Sequence, residues 1–258
     1  MHKHLLAIRL AMVISLSFAI IQPGFAKTKI STNDTVVQQV AIQGINVRFE
    51  NNPTLDKQAQ IALPQAKELM MAKQFDKALA TVQPIIDSYQ QKYANSKAPV
   101  YSSRTVEQAK VITQLAIDKK QKEIIILHDE WVTALYLKGF ILVEKNQPSQ
   151  ALTAYHQALE LSPFNSQVAS EIGHLFQIQR DWQSAGDIFE MASQFSEFSP
   201  AGNKDFEYTR ALRGMAFSAT EQGDYEKAKK LYQQCLEINP KDNVARQELQ
   251  YVQAKSKK

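Results

Sequence analysis

The stretch Gln222–Pro240, QGDYEKAKKLYQQCLEINP, places two tyrosines and an alanine on nearly one side of a predicted helix. Gly223 precedes this helix and Pro240 follows it, so a turn-forming residue and a helix breaker stand at its two ends. The pattern predicts one half of a helical hairpin. If the hairpin is a repeating unit, the same spacing should recur in the chain.

The spacing around Ala228 does recur, around Ala185, Ala151 and Ala78. After Ala151 the aromatic, small, large apolar and proline positions follow at the same offsets as after Ala228. A small residue also stands twelve positions before each alanine, and these four are Ala66, Gly139, Gly173 and Ala216. Small residues let two helices approach closely, while large ones fill the gaps between them. Each repeat is therefore predicted to be a helix, a short turn and a second helix.

This pattern resembles the tetratricopeptide repeat family, whose unit of about 34 residues has a small residue in the first helix and an aromatic–alanine–aromatic–alanine–proline series in the second. Four matches cover residues of about 59–92, 132–165, 166–199 and 209–242. The resemblance implies an all-α fold, in which stacked hairpins form an α-α superhelix, because a single hairpin cannot bury its own apolar face. Chance periodicity in an ordinary helical bundle is the alternative.

Residues 59–258 are thus predicted to form one repeat domain. An irregular insert over about 97–130 separates its first two repeats, and residues 243–255 are predicted to form a capping helix. Inside the insert a capping box predicts a helix that starts after Thr105, and the β-branched run KEIIIL predicts an extended, buried segment. The segment 27–58 alternates apolar residues as a strand does, but it has no evident partner strand. It is therefore expected to be flexible or to become ordered on binding.

The first 26 residues predict export. A basic lead is followed by the apolar run LAMVISLSFAII and by small residues at Gly24 and Ala26. A membrane-spanning helix needs about 20 apolar residues, so this shorter run predicts a cleaved signal peptide over residues 1–26, with an uncleaved anchor as the alternative. The mature chain would start at Lys27 with no integral membrane segment, in the periplasm of a Gram-negative bacterium or outside the cell.

Composition and motifs argue against nucleic acid, cofactors and catalysis. The formal net charge is +4, and it falls to +2 without Lys3 and Arg9, whereas a nucleic-acid partner favours a clustered basic face. The single cysteine, Cys235, allows no intramolecular disulfide and is expected to be a buried small side chain. No phosphate-binding loop, nucleophile elbow or metalloprotease motif is present. The sequence therefore predicts neither an enzyme nor a cofactor.

Two groups of residues invite a metal site, and both have a simpler explanation. His128, Asp129 and Glu130 are consecutive, so on a helix they point in different directions, and Asp129 is expected to cap the helix that follows. Glu171 and His174 form one E-x-x-H pair, whereas di-iron bundles use two such pairs with two further glutamates. The prediction is that the chain has no metal site.

The resemblance also implies a concave surface lined by the first helix of each repeat, which suits a protein or peptide partner. The side chains expected to face it are Tyr136, Phe140, His174, Arg210, Arg213 and Phe217. This set suits a peptide with apolar side chains and an acidic group. The Lys and Asn with which some relatives grip a C-terminal carboxylate are absent from the corresponding positions.

Two alternatives stay open for these side chains. In the first, the aromatic residues Tyr136 and Phe140 are buried against the insert. In the second, Arg210 and Arg213 only solvate the helix face or pair with Glu207 and Glu221. The predicted function is a non-catalytic periplasmic scaffold or adaptor that serves cell-envelope assembly. The alternative is an accessory subunit of an envelope enzyme or of a secretion or pilus assembly complex.

Overall fold

The structure is a computed structural model that describes residues 28–32 and 35–256, so the predicted signal peptide lies outside the described residues. Five strands form one sheet: β1 (Thr28–Thr32), β2 (Thr35–Ile42), β3 (Ile45–Asn51), β4 (Val100–Ser102) and β5 (Glu123–Leu127). The first helices are α1 (Pro53–Met71), α2 (Phe75–Tyr93), α3 (Val106–Asp118), α4 (Glu130–Glu144) and α5 (Pro148–Leu161). They are followed by α6 (Ser166–Ile178), α7 (Trp182–Phe195), α8 (Lys204–Glu221), α9 (Tyr225–Ile238) and α10 (Asn243–Lys255).

Most of the chain is the predicted all-α superhelix, in which hairpins α1–α2, α4–α5, α6–α7 and α8–α9 stack in order and α10 packs on α9. Each hairpin turns through one residue with positive φ. These residues are Lys73, Asn146, Arg180 and Gly223, with φ of 56°, 57°, 57° and 81°. A left-handed backbone conformation is unfavourable for any residue with a Cβ atom and is not unfavourable for glycine. Even so, glycine occupies only the last of the four turns.

The predicted close approach of helices is present at Gly139 and Gly173. A Cβ atom at Gly139 would lie 2.4 Å from the ring of Tyr155, which is fully buried. A Cβ atom at Gly173 would lie 2.9 Å from the ring of Phe189, and one at Gly214 would lie 2.4 Å from the same ring. Phe189 of α7 is therefore clamped between α6 and α8, a contact that the repeat pattern did not predict at Gly214.

The N-terminal segment differs from the expectation. Instead of a flexible stretch over 27–58, the described residues form three strands that lead into α1. The sheet has the order β1-β2-β3-β5-β4, in which β1, β2 and β3 pair antiparallel and β3 pairs parallel with β5. The strands of this segment are partners of one another, and β3 also pairs with β5, which the chain supplies only after two helices, β4 and α3. A pairing over that separation leaves no local signal in the sequence.

The insert over about 97–130 was predicted to be irregular, but it has regular secondary structure. It forms a β4–α3–β5 unit in which the two strands pair in parallel, and KEIIIL supplies β5 as the extended segment expected there. The Thr105 side chain caps α3 by accepting from the Gln108 backbone N–H over 3.0 Å. Ile112, Ile124 and Ile126 pack between α3 and one face of the sheet. The opposite face contributes Ile125 and Leu127 to the core of the superhelix, so the sheet is a second layer on its first repeats.

A buried clasp joins this unit to the extra residues between the third and fourth repeats. Arg104 donates from Nη1 and Nη2 to the two carboxylate oxygens of Glu207, over 2.7 and 3.0 Å. Ser199 donates to the same carboxylate over 2.6 Å, and Thr105 donates to the Phe198 carbonyl over 2.9 Å. The side chains of Arg104 and Glu207 are only 7% and 4% exposed. Glu207 is therefore committed to the clasp and does not pair with Arg210.

Among the described residues, none of the helices combines the length and the apolar character that a membrane crossing requires.

Candidate functional site

One cavity lies on the surface built from the first helices of successive repeats. It has a volume of about 240 Å³, its walls come from α6, α8 and α10, and the aromatic rings of Phe189 and Tyr232 lie beneath them. The side chains in its walls include Ser170, His174, Arg210, Arg213, Phe217 and Val244. Gly214 leaves room above the Phe189 ring, which therefore forms part of the cavity floor.

Arg210 is held by a buried carboxylate from the preceding repeat. Its Nη2 donates to Glu171 Oε1 over 2.7 Å, and the Tyr136 hydroxyl donates to the same oxygen over 3.1 Å. The Glu171 side chain is 5% exposed, whereas that of Arg210 is 28% exposed. The carboxylate thus lies beneath the guanidinium, which is the group that faces the cavity.

The pKa values fix the charge state of this cluster. Burial by itself would lower the pKa of Arg210, but the charge of Glu171 and the hydrogen bond to it outweigh burial and raise the pKa. Burial, reinforced by the charge of Glu171, raises the pKa of Tyr136 to about 12. At neutral pH Arg210 is therefore a cation and Tyr136 is a neutral hydrogen-bond donor.

Arg213 is held in the same way from the opposite side. Its Nη1 pairs with Asp242 Oδ2, and the other oxygen of Asp242 accepts from the Ala245 backbone N–H over 3.0 Å. Asp242 is the N-cap of α10, so one carboxylate both starts the last helix and orients an arginine of α8. The Asp242 side chain is 6% exposed and that of Arg213 is 23% exposed. Again the carboxylate is buried and the guanidinium faces the cavity.

The apolar part of the cavity comes from Phe217 and Val244, which are 37% and 57% exposed. Phe217 is held by an edge-to-face contact with Trp182, whose ring centroid lies 5.9 Å away. Exposed aromatic and aliphatic side chains beside hydrogen-bonding groups are typical of binding sites. This end of the cavity can therefore take apolar side chains of a ligand.

The structure brings together four of the six residues that the sequence assigned to the groove: His174, Arg210, Arg213 and Phe217. Tyr136 lies behind them, under Glu171, and its ring packs against the Tyr155 ring with a distance of 6.2 Å between the two ring centroids. Phe140 is half-buried and does not line this cavity. Val244 and Glu248 also line the cavity, although the last helix was predicted only to cap the repeats.

The groove hypothesis requires Arg210 and Arg213 to be unpaired, and the structure shows that they are paired. Arg210 and Arg213 do form ion pairs, but with Glu171 and Asp242 rather than with Glu207 and Glu221. Both partners lie on other helices, so helix periodicity within α8 could not identify them. The only available signal was the capping position of Asp242, which places its carboxylate at the start of a helix.

A second cavity, of about 550 Å³, opens at the carboxyl ends of β3 and β5. His128 and Glu130 line it, and the ligand atoms of His128, Asp129 and Glu130 lie within 4.8 Å of one another. Asp129 stands at the N-cap of α4, but its side chain makes no capping hydrogen bond, so the expected cap is incomplete. Burial is the main cause that raises the pKa of Glu130, and the charge of Asp56 adds to it.

The remaining reactive candidates have structural positions. Glu171 is buried under Arg210 and His174 is exposed, so the two do not act as a ligand pair. Cys235 is fully buried, and burial raises the pKa of its thiol to about 12. A buried thiol that stays protonated is a packing side chain.

Comparisons with known proteins identify the repeats. Two family models, both described as tetratricopeptide repeat, match residues 132–165 and 165–241. A search of curated proteins found no match. Neither matching family model describes a catalytic domain.

Solved structures match this chain at low sequence identity, and the match to PilF supports the fold. PilF of Pseudomonas aeruginosa is 12% identical, with a TM-score of 0.56 over 79% of this chain and 71% of that chain. MamA of Desulfovibrio magneticus RS-1 is 12% identical, with a TM-score of 0.48 over 78% of this chain and 86% of that chain. The first tetratricopeptide domain of human RPAP3 is 19% identical, with a TM-score of 0.43 over 48% and 91% of the two chains.

Proposed function

Because residues 132–241 are tetratricopeptide repeats, we propose that this chain is a non-catalytic adaptor that binds a peptide segment of a protein partner. The binding site is the cavity between α6, α8 and α10. The observation that carries the proposal is that α6, α8 and α10 line one cavity: α6 contributes His174, α8 contributes Phe217 and the two arginines, and α10 contributes Val244. Stacked helical repeats use surfaces of this kind for binding.

The shape of the site suits a chain segment better than a small molecule. The cavity follows the stacking direction of the repeats, from His174 on α6 past Arg213 on α8 to Val244 on α10. A peptide in this position can bury apolar side chains against Phe217 and Val244 and direct polar groups to the arginines. Such an interface concentrates its binding energy in a few aromatic and arginine side chains.

The charge states of the cavity also favour binding over catalysis. The raised pKa of Arg210 keeps its guanidinium protonated, so it cannot serve as a general base near neutral pH. The one cysteine is buried outside the cavity. The groups that line the cavity include the two guanidinium groups, the apolar side chains of Phe217 and Val244, the imidazole of His174 and the carboxylate of Glu248.

We place this adaptor in the periplasm of a Gram-negative bacterium, with a role in assembly of the cell envelope. The support is the export signal expected over residues 1–26, which comes from sequence alone. The partner would then be an exported or membrane-anchored protein that presents a segment to the periplasm.

The test is affinity capture from periplasmic extract with wild-type protein and with the double variant Phe217→Ala/Val244→Ala. Both side chains are partly exposed, so we expect folding to persist while partners identified by mass spectrometry are lost. Met71→Ala is the matched control, because Met71 is 82% exposed on α1, away from the cavity. A double variant that retains every wild-type partner at wild-type affinity would exclude this cavity as the binding site.

A further inference from the structure

The two arginines are positioned as donors for an acceptor that comes from outside the chain. Each is anchored by a carboxylate that is nearly inaccessible, while the arginine side chain is 28% exposed at Arg210 and 23% exposed at Arg213. A guanidinium carries five N–H groups, so each arginine keeps donors beyond the one that its buried carboxylate uses. The anchoring also means that little side-chain freedom is lost when a ligand binds.

Ser170 adds a third donor. It lies on α6 in the lining of the same cavity, it is 1% exposed, and its Oγ makes no hydrogen bond with the described residues. Other hydroxyls in helices here donate to the carbonyl one turn earlier, as Ser218 does to Gly214 over 3.0 Å and Thr220 does to Ala216 over 2.9 Å. A buried hydroxyl without a partner is costly, so a ligand that supplies an acceptor at Ser170 gains affinity.

We propose that this cavity receives the side-chain carboxylate of one Asp or Glu in an extended segment of the partner. The carboxylate accepts from Arg210, Arg213 and Ser170. This inference rests on the proposed function, and it adds the chemical identity of the residue that the groove selects.

The surroundings favour an internal acidic side chain over a free chain end. The cavity is bounded on one side by His174 of α6 and on the other by Val244 of α10, so a peptide can run across α8 and continue in both directions. Glu248 lines the same cavity and repels a second anionic group. Phe217 and Val244 flank the arginines with apolar surface. The preferred segment therefore has a single acidic residue with apolar neighbours, rather than an acidic run.

The experiment selects ligands for the full chain from a display library of random nine-residue peptides. We expect the enriched peptides to share one Asp or Glu beside apolar residues. In synthetic versions, a change of that residue to Asn or Gln should weaken binding about 10- to 100-fold, the range for loss of a charged hydrogen-bonding partner. Amidation of the peptide C-terminus should leave the affinity unchanged.

A variant of the protein tests the same contact from the other side. Ser170→Ala removes the unpartnered hydroxyl without leaving a buried charge, so the protein should fold normally. It should weaken the acidic peptide more than its amide analogue, because an amide oxygen is a weaker acceptor than a carboxylate oxygen. Arg180→Gln is the matched control, because Arg180 is an exposed arginine in the turn after α6 and does not line the cavity. It should change neither affinity.

The outcomes separate the two proposals. Peptides that need Phe217 and Val244 but tolerate the change to Asn or Gln would overturn the carboxylate subsite and leave the adaptor function intact. Loss of binding on amidation alone would show that a chain end occupies the cavity, which also overturns the subsite. If no selected peptide depends on Phe217 and Val244, the proposed function itself fails.

Discussion

The close contact at Gly139 gives the sharpest quantitative test of the helix packing. In Gly139→Ala the new Cβ atom would start 2.4 Å from Tyr155 Cε1, well inside van der Waals distance. The Tyr155 ring is fully buried, so it cannot swing into solvent to relieve the clash. Overpacking of this kind costs about 1–3 kcal/mol. The change also gains about 0.8–1 kcal/mol, because alanine favours a helix over glycine.

The net expectation for Gly139→Ala is a loss of up to about 2 kcal/mol, which lowers the Tm by up to about 8 °C in a chain of this size. The matched control is Gly186→Ala. Gly186 also lies inside a helix, but the nearest atom to its Cβ would be Ser218 Cβ at 3.9 Å, an ordinary contact. This control gains the same helix propensity without a clash and should be neutral or slightly stabilised.

The assay is thermal unfolding followed by circular dichroism at 222 nm, with Tyr155→Leu as a third variant. If the clash is with the ring, Gly139→Ala should cost less in the Tyr155→Leu background than in the wild type. Leucine at Gly139 or Gly173 should be worse than alanine, whereas leucine at Gly202 should be nearly silent, because no atom lies within 4 Å of a Cβ there. Equal Tm shifts for Gly139→Ala and Gly186→Ala would refute the packing.

Three further predictions concern the clasp, the turns and the N-terminus. Arg104→Ala should lower the free energy of unfolding by about 3–5 kcal/mol, because it leaves the Glu207 carboxylate buried without its cation. Removal of the exposed Lys204 amine, which pairs with Glu197, should cost at most about 1 kcal/mol. Equal losses for the two variants in chemical denaturation would contradict the clasp. Gly223→Ala should destabilise the protein by about 1–2 kcal/mol, because φ at this turn is 81°. Arg180→Gly, at a turn where φ is 57°, should be neutral or stabilising. The reverse order of unfolding midpoints would argue against left-handed turns. Intact-mass measurement of exported protein should show a chain that begins at Lys27, and full-length protein recovered from membranes would contradict cleavage.

The candidate site was only partly predictable. The positions of Arg210, Arg213 and Phe217 on one face of α8 follow from helix periodicity, and the structure places all three in one cavity. The partners Glu171 and Asp242 do not follow, because each ion pair joins helices from different repeats. Phe140 has the same spacing as the groove residues but does not reach the cavity. Periodicity identifies a face of a helix, and it does not identify what covers that face.

The sequence by itself determined the parts of this protein that depend on near neighbours. Contacts such as Gly139 with Tyr155 join the two helices of one hairpin, so the small and aromatic residues recur at fixed spacing and the repeats can be aligned by inspection. The same locality places Thr105 and Asp242 at helix starts. These features are specified by residues a few turns apart along the chain.

Only the tertiary structure decided how the N-terminal strands join the strands of the insert, how the clasp forms and which carboxylates pair with the arginines of the cavity. Strand β3 pairs with β5 across two helices, β4 and α3, and Arg104 reaches Glu207 across two repeats. Such pairings depend on how the superhelix brings distant segments together, and any strand or carboxylate of suitable character could have been the partner. The sequence does not specify the partner of a backbone hydrogen bond or of an ion pair, so the packing of the repeats determines which of them form.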